Sequence, residues 1–416
     1  MSTTPPHSSG PLQGIKVVEI CSTIAGPACA RLLADFGADV IKIEPPDGDP
    51  VRQMGQHVGD VSLYAASILR NKRSIALDLK TEQGRTIAAA LIDRADILVE
   101  NNRPGVMERL GLGYETISAR NPGIVMVRIS GYGQSGPYSE RPGYGAICEA
   151  VGGVRHMTGD PDRPPARVAL ATTDYLSSVY AAFGALAAIH ARASTGRGQV
   201  VDVALYETAF SQMEPVVPAF EKLGIVPKRE GPNLPSMAPN SLYPTRDDGW
   251  VLIAANSNPT WKRLVGLMEQ PELLTDLRFE SIQQRGRPEN MAALDAIVAQ
   301  WTRQFDAEQL EALLRQGEVP ASRIYTIADI YADPHFQARE MLQVVPHPVL
   351  GHTTQAGVVP RLSATPGRIQ RTGPDLGADG HAVLVHELGL DTSQIQALVT
   401  AGAVRLPGTS QTALQG

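Results

Sequence analysis

Cysteine and clustered charge are both scarce in this chain, and each scarcity excludes something. The three cysteines, Cys21, Cys29 and Cys148, are odd in number and have no metal-ligand spacing. This argues against a disulfide framework and against a cysteine-built zinc site, and no metal is expected. They read as small buried residues of a protein kept in a reduced compartment. The 37 basic residues are scattered among 43 acidic ones, for a net charge of -6, so no surface for nucleic acid or acidic membrane is indicated. The most apolar helical stretch, 179–189, is far too short to span a bilayer. The opening MSTTPPHSSGP has neither a basic n-region nor an apolar h-region, and reads as a disordered tail rather than a secretory signal. The expected location is cytoplasmic. No GxGxxG follows the first predicted strand, where Ser22-Thr23-Ile24-Ala25-Gly26-Pro27 stands, which argues against NAD.

What is present is an ordinary globular composition, 43% hydrophobic with 39 Gly and 32 Pro in 416 residues, enough for two domains with many loops. Strands are predicted at 15–20, 40–43, 97–99 and 124–129, with helices at 27–36 and 83–94 between them. Continuous apolar strands alternating with helices predict a doubly wound α/β domain, its parallel sheet covered on both faces. Ligands bind such sheets beyond the carboxyl ends of the strands, so 21–25, 44–52, 101–105 and 131–144 are the candidate binding loops. A Pro-rich stretch at 227–244 marks a crossing into a second unit, with a strand at 250–255 and helices at 260–268, 288–304 and 307–316. A final helix is predicted at 381–388.

The most informative segment is 167–209. One carboxylate, Asp174, stands between Val168-Ala169-Leu170-Ala171 and an Ala-rich helix predicted over 175–193, which closes on Ser194-Thr195-Gly196. Asp174 therefore lies at or near a helix N-terminus, where a carboxylate acting as a simple N-cap contributes about 1 kcal/mol. The helix start and the run TGRGQVVDVALYE at 195–207 together resemble the class III CoA-transferases of the CaiB/BaiF type, the family of formyl-CoA and carnitine CoA-transferases. The resemblance covers nearly the whole chain. Ala25-Gly26-Pro27 with LADFGADVIKIEP at 33–45, then NKRSIALDLK at 71–80 and DILVENNRPG at 96–105, follow in the family's order. It implies a discontinuous large domain at 1–224 and 331–416, a smaller α+β domain at 225–330, and two chains interlocked like links in a homodimer.

Moving CoA between two acids requires holding an acyl group while CoA is parked elsewhere. A carboxylate can attack a thioester to give a mixed anhydride, which the thiolate then opens to an aspartyl-CoA thioester. The resemblance assigns that role to Asp174, and a helix N-terminus would keep it ionised and stabilise oxyanions on the path. By position, the family's CoA contacts fall on Ile24, Ala25, Pro45, Leu77, Lys80, Asn101, Asn102, Arg103, Arg109 and Tyr144. Arg103, Arg109 and Lys80 are then the phosphate partners, although any one of them alone reads as solvated surface charge. Lys72 and Arg73 read as a solvent-facing pair. CoA and acyl-CoA enter as substrates, with no permanently bound cofactor.

Three departures bear on the substrate. Ile24 and Gly145 replace a Gln and a Glu of the formyl-CoA enzymes, and their run of four glycines is missing, which argues against oxalate and formate. Val154-Arg155-His156-Met157-Thr158-Gly159 resembles transferases acting on succinate and longer dicarboxylates, making Arg155 or His156 a candidate for a distal carboxylate. A structural His after a Gly-Gly turn is the competing reading. The expected reaction is transfer of CoA from succinyl-CoA to a small dicarboxylic acid. The alternatives are an isomerase resembling the α-methylacyl-CoA racemases, which need a base where Tyr144-Gly145 stand, and a non-catalytic CoA-binding subunit.

Overall fold

The computed structural model describes residues 10–408, so the tail expected at the N-terminus falls mainly outside the described residues. Two compact units result. Among the described residues, the first takes the chain up to Val154, Val168–Val217 and the stretch from His335; the second takes Arg155–Arg167 and Pro218–Pro334.

The first unit is built on seven strands: β1 Lys16–Ile20, β2 Asp39–Glu44, β3 Lys72–Leu77, β4 Ile97–Glu100, β5 Val125–Ser130, β6 Val200–Ala204 and β7 Val404–Arg405. Their order is β7-β3-β2-β1-β4-β5-β6, parallel throughout except for β7, which runs antiparallel along β3. Without β7 this is the 3-2-1-4-5-6 order of doubly wound sheets, whose winding reverses between β1 and β4. The register Ile20↔Glu100 ends both strands side by side, so the loops that follow them open into one crevice.

Five helices matter for the site: α1 Ala25–Asp35, α2 Glu82–Ile92, α3 Gly145–Val151, α4 Thr172–Thr195 and α5 Leu205–Ser211. On one face Leu33 of α1 and Ala181, Ala185 and Ala188 of α4 join Val17, Val99 and Val127 in a single core. On the other, Ile87, Leu91 and Ile92 of α2 pack with Val18, Ile41, Ile75 and Leu98. Val17 and Val18 serve opposite layers because successive strand side chains alternate. Each such side chain fully withdrawn from water contributes about 1.5–3 kcal/mol.

Two expectations need correction here. β3 opens with Lys72 and Arg73, whose charges suggested a solvent-facing pair, yet Lys72 is fully buried. Its Nζ donates to Glu19 Oε2 at 2.7 Å and to the Pro27 carbonyl at 2.7 Å, so a paired cation fills a strand position. Arg73 is half-buried between Asp39, at 2.5 Å, and Glu387, at 2.9 Å. The chain also continues past the expected last helix, observed at Gly380–Leu388, through a further helix Thr392–Thr400 into β7.

The second unit has an antiparallel sheet of Asn240–Pro244, Trp250–Ala254 and Ala321–Arg323, with Trp250–Ala254 in the centre. Helices Asn258–Met268, Pro288–Thr302 and Ala307–Gln316 complete its core through Trp261, Leu264, Leu294, Val298 and Leu310. Arg155–Arg167, read from sequence as part of the large domain, packs within this unit. Arg229 Nε donates to the Asp160 carbonyl at 3.1 Å and the Gly231 amide to the Gly159 carbonyl at 3.1 Å.

Candidate active site

Beneath the crevice of the first unit lies a buried ionic lattice that fixes the loop after β1. Glu19, Lys42 and Lys72 sit on three neighbouring strands. Lys42 Nζ is 2.8 Å from Glu19 Oε1 and 2.8 Å from Asp49 Oδ2, and donates to the Cys21 carbonyl at 2.8 Å. Asp49 Oδ1 accepts from the amides of Thr23 and Val51, each at 2.9 Å. Together with the Lys72 bond to Pro27, these contacts hold the loop at three points and keep Thr23 at φ 65, a left-handed conformation unusual for threonine. Glu44 closes the lattice. Burial works against its ionisation, but the Arg52 fork, Lys42 and the Ser74 hydroxyl outweigh that and hold its carboxyl at about 2.

The loop after β4 is laced to the same crevice. Asn101 Oδ1 accepts from the Ser22 amide and Nδ2 donates to the Ser22 carbonyl, both at 2.9 Å. The Asn102 amide donates to Glu100 Oε2 at 2.8 Å, and Glu100 in turn accepts from Arg128 Nε at 2.8 Å. The side chains of Asn101 and Asn102 are thus engaged in shaping the loop. Gly26 permits the close approach, since a Cβ there would lie 2.3 Å from Cys21 Sγ.

Arg103, Arg109 and Lys80 are exposed beyond the ends of β4 and β3. Pro45 is exposed after β2, Ile24 is the half-buried N-cap residue of α1, and Ala25 is buried at its first position. Tyr144, at the N-cap of α3, is 74% exposed. The Leu77 side chain lies in the core under β7, which leaves only its backbone to touch a ligand.

Asp174 is the third residue of α4, half-buried, while the N-cap position is taken by Ala171, so it is not the cap itself. Ser178 Oγ lies 2.7 Å from both the Asp174 and Ala25 carbonyls and ties the first turn of α4 to that of α1. On its other side the carboxylate presses against Gly145. A Cβ at Gly145 would fall 2.0 Å from Asp174 Oδ2 and 2.7 Å from its Cγ. Cys148, in the same helix α3, registers this neighbour: burial and then the Asp174 charge push its thiol up to about 11. The hydroxyls of Tyr64 and of Tyr175, the residue after Asp174, meet at 3.0 Å.

The structure therefore brings Asp174 to Gly145 and, through Ser178, to the first turn of α1. Gly145, Tyr64 and Tyr175 were not candidates on sequence. For Gly145 the signal was its missing side chain, whereas the tyrosine pair is visible only in three dimensions. His156 is exposed with Nε2 3.1 Å from the Pro227 carbonyl, and Arg155 is half-buried; both belong to the second unit. Among the described residues no cluster of three or more His, Cys, Asp or Glu is placed to hold a metal, and no helix is long and apolar enough to cross a membrane.

Comparison with known proteins agrees with this geometry. The family model described as CoA-transferase family III matches residues 12–380. A succinyl-CoA--D-citramalate CoA-transferase of Chloroflexus aurantiacus is 45% identical over 95% of this chain and 98% of its own length. A succinyl-CoA:mesaconate CoA-transferase of Haloarcula marismortui is 37% identical over 92% of this chain and 98% of its own. Among solved structures, a CaiB/BaiF family protein from Brucella suis superposes with a TM-score of 0.80 at 34% identity, covering 91% of this chain and 100% of that one. Sheet order, crevice and full-length similarity agree, and the chain belongs to CoA-transferase family III.

Proposed function

We propose that this enzyme moves CoA from succinyl-CoA to a small dicarboxylic acid, with Asp174 as the covalent carrier. The Asp174 carboxylate attacks the thioester carbonyl and expels CoA thiolate, leaving a mixed anhydride. The thiolate then attacks the aspartyl carbonyl, releases succinate and forms an aspartyl-CoA thioester. The acceptor carboxylate repeats the sequence in reverse: it displaces the thiolate to give a second anhydride, which the thiolate opens at the acceptor's own carbonyl, restoring Asp174. The first turn of α4 offers its amide dipoles to the oxyanions formed at each step.

The observation that carries this reading is the placement of Asp174, fixed by Ser178 and backed by a residue with no side chain. Gly145 offers no base, which counts against the racemase reading. CoA is assigned to Ile24, Ala25, Pro45, the backbone at Leu77, Lys80, Asn101, Asn102 and Tyr144, with Arg103 and Arg109 on its phosphates. Arg155 and His156 stay candidates for the acid substrate. The dicarboxylate acceptor is supported by what the relatives' names state and by the sequence at 154–159. A cytoplasmic homodimer completes the proposal. Val179, Phe183 and Leu186 of α4 are exposed at helical spacing beside Phe210 of α5, an apolar face suited to a second copy.

The test is product analysis. Succinyl-CoA is offered with citramalate, malate and mesaconate, and with butyrate and oxalate, and the CoA esters are identified by mass. CoA esters of citramalate, malate or mesaconate are expected; a preference for butyrate or oxalate would remove the substrate assignment.

A further inference from the structure

One buried cation of the first unit has no close anionic partner. Arg31, on α1, keeps only 19% of its side chain exposed, and its nearest acid, Asp35, is 3.8 Å away. Asp35 is already taken: Arg70 donates to it through Nε at 3.0 and 3.2 Å and through Nη2 at 2.7 Å, and Asn71 Nδ2 adds a bond at 2.8 Å. Arg31 Nε is buried with no hydrogen-bond partner among the described residues. The contrast with Arg52, Arg70 and Arg128 is clear, since these hold carboxylates at 2.7, 2.7 and 2.8 Å. Burial, together with the like charge of Arg70, works against the Arg31 cation, and Asp35 offsets this only in part. A guanidinium held this way is prepared for an anion that arrives later.

Its surroundings say which anion. Ala28, one turn earlier on α1, packs in the same cluster as Tyr64 and Tyr175, whose hydroxyls meet at 3.0 Å. Tyr175 directly follows Asp174. The Tyr64 hydroxyl senses both charges: burial, the bond to Tyr175 and the Asp174 carboxylate push its proton affinity up, while Arg31 pulls it down. The two phenol hydroxyls thus lie in the cluster that packs on α1 one turn before Arg31, and one of them belongs to the residue next to Asp174. We propose that Arg31, with the hydroxyls of Tyr64 and Tyr175, binds the second carboxylate of the dicarboxylic substrate while its other end reacts at Asp174. This rests on the transferase reading above and names its specificity residue within the first unit. A planar guanidinium takes a carboxylate through two parallel bonds, and a monocarboxylate of equal length would leave Arg31 with only the distant Asp35.

The test uses succinate and butyrate as probes, with calorimetric binding to the full chain and steady-state transfer from succinyl-CoA measured side by side. Arg31→Gln is expected to weaken succinate binding at least tenfold, to leave butyrate within twofold, and to raise the KM for dicarboxylic acceptors with the KM for succinyl-CoA's CoA portion, read with acetyl-CoA as donor, unchanged. Arg31→Lys should recover part of the loss, and Tyr64→Phe should weaken succinate in the same direction. The melting temperature of ligand-free Arg31→Gln should not fall, because no short bond is removed. Equal loss for both acids, no loss for either, or a melting temperature lowered as if a structural ion pair had been broken would overturn the proposal. Should the wild type prefer succinate through Arg31 yet transfer no CoA, the transferase reading fails and the anion site stands. Should Arg31→Gln transfer to dicarboxylates as well as wild type, the reverse holds.

Discussion

Replacing Gly145 with alanine tests the geometry of the reacting carboxylate with a single methyl group. That methyl would sit 2.0 Å from Asp174 Oδ2 and 3.1 Å from Oδ1. Restoring ordinary van der Waals separation requires the carboxylate to withdraw by roughly 1–1.5 Å. The backbone cannot follow, because Ser178 fastens the first turn of α4 to α1. The movement therefore falls on the Asp174 side-chain torsions, at about 1 kcal/mol of rotamer strain. A displacement of about 1 Å at a reacting atom costs on the order of 100-fold in rate, or roughly 2.7 kcal/mol of barrier. Gly145 has no left-handed φ, so alanine strains nothing in the backbone and the effect isolates the contact. Steady-state transfer should show kcat down by about two orders of magnitude, with the KM for acyl-CoA unchanged because the proposed phosphate partners, Arg103 and Arg109, follow β4 rather than lie on α3. A kcat within threefold of wild type would refute the reasoning, as would a loss explained by a fall in melting temperature.

Lys72→Met should destabilise the first unit by about 3–5 kcal/mol in urea unfolding, since it leaves Glu19 with one cation fewer in a dry site and frees the Pro27 carbonyl; a loss below about 1 kcal/mol contradicts the lattice account. Glu44 is held at about 2, below the ordinary glutamate value, so the stability it contributes is complete above the unfolded-state pKa and fades as pH falls from about 5 toward 2. Glu44→Gln should flatten that acid limb of the stability curve, and an unchanged slope would show that Glu44 is not its source. Cys148, its thiol raised to about 11 by burial and then by Asp174, should resist iodoacetamide at neutral pH. Asp174→Asn should quicken its alkylation in mildly alkaline buffer; an unchanged rate would mean the two groups do not sense each other.

The parallel sheet was readable where apolar residues dominate a strand and its charges are few, as at β1, β2, β4 and β5. It was not readable at β3, where a lysine in a strand looks like surface until Glu19 is seen across two strands, nor at β7, where only two residues add to an edge. The loops after β1 and β4 were legible among four candidate binding loops because ligands of such sheets bind beyond the carboxyl ends of the strands. The roles inside them were less legible. Asn101 and Asn102 carry hydrogen bonds to their own protein, a use no sequence pattern distinguishes from ligand binding. Asp174 stood out through the family motif around it, since its place at a helix start alone reads as an N-cap. The contact with Gly145 joins positions 29 residues apart and exists only after folding. Arg31 was invisible for another reason: an arginine on a helix usually reaches solvent, and only its burial with no anion nearer than Asp35 at 3.8 Å, already held by Arg70, makes it informative.

The most direct measurement of the central claim is chemical trapping of the carrier. The enzyme is incubated with succinyl-CoA and no acceptor, quenched with hydroxylamine, digested and read by mass spectrometry. The account predicts a hydroxamate on the peptide containing Asp174, formed only when the thioester donor is present, and none in Asp174→Ala, which should still bind CoA but transfer nothing. An unmodified Asp174 peptide, or substantial turnover by Asp174→Ala, would contradict it.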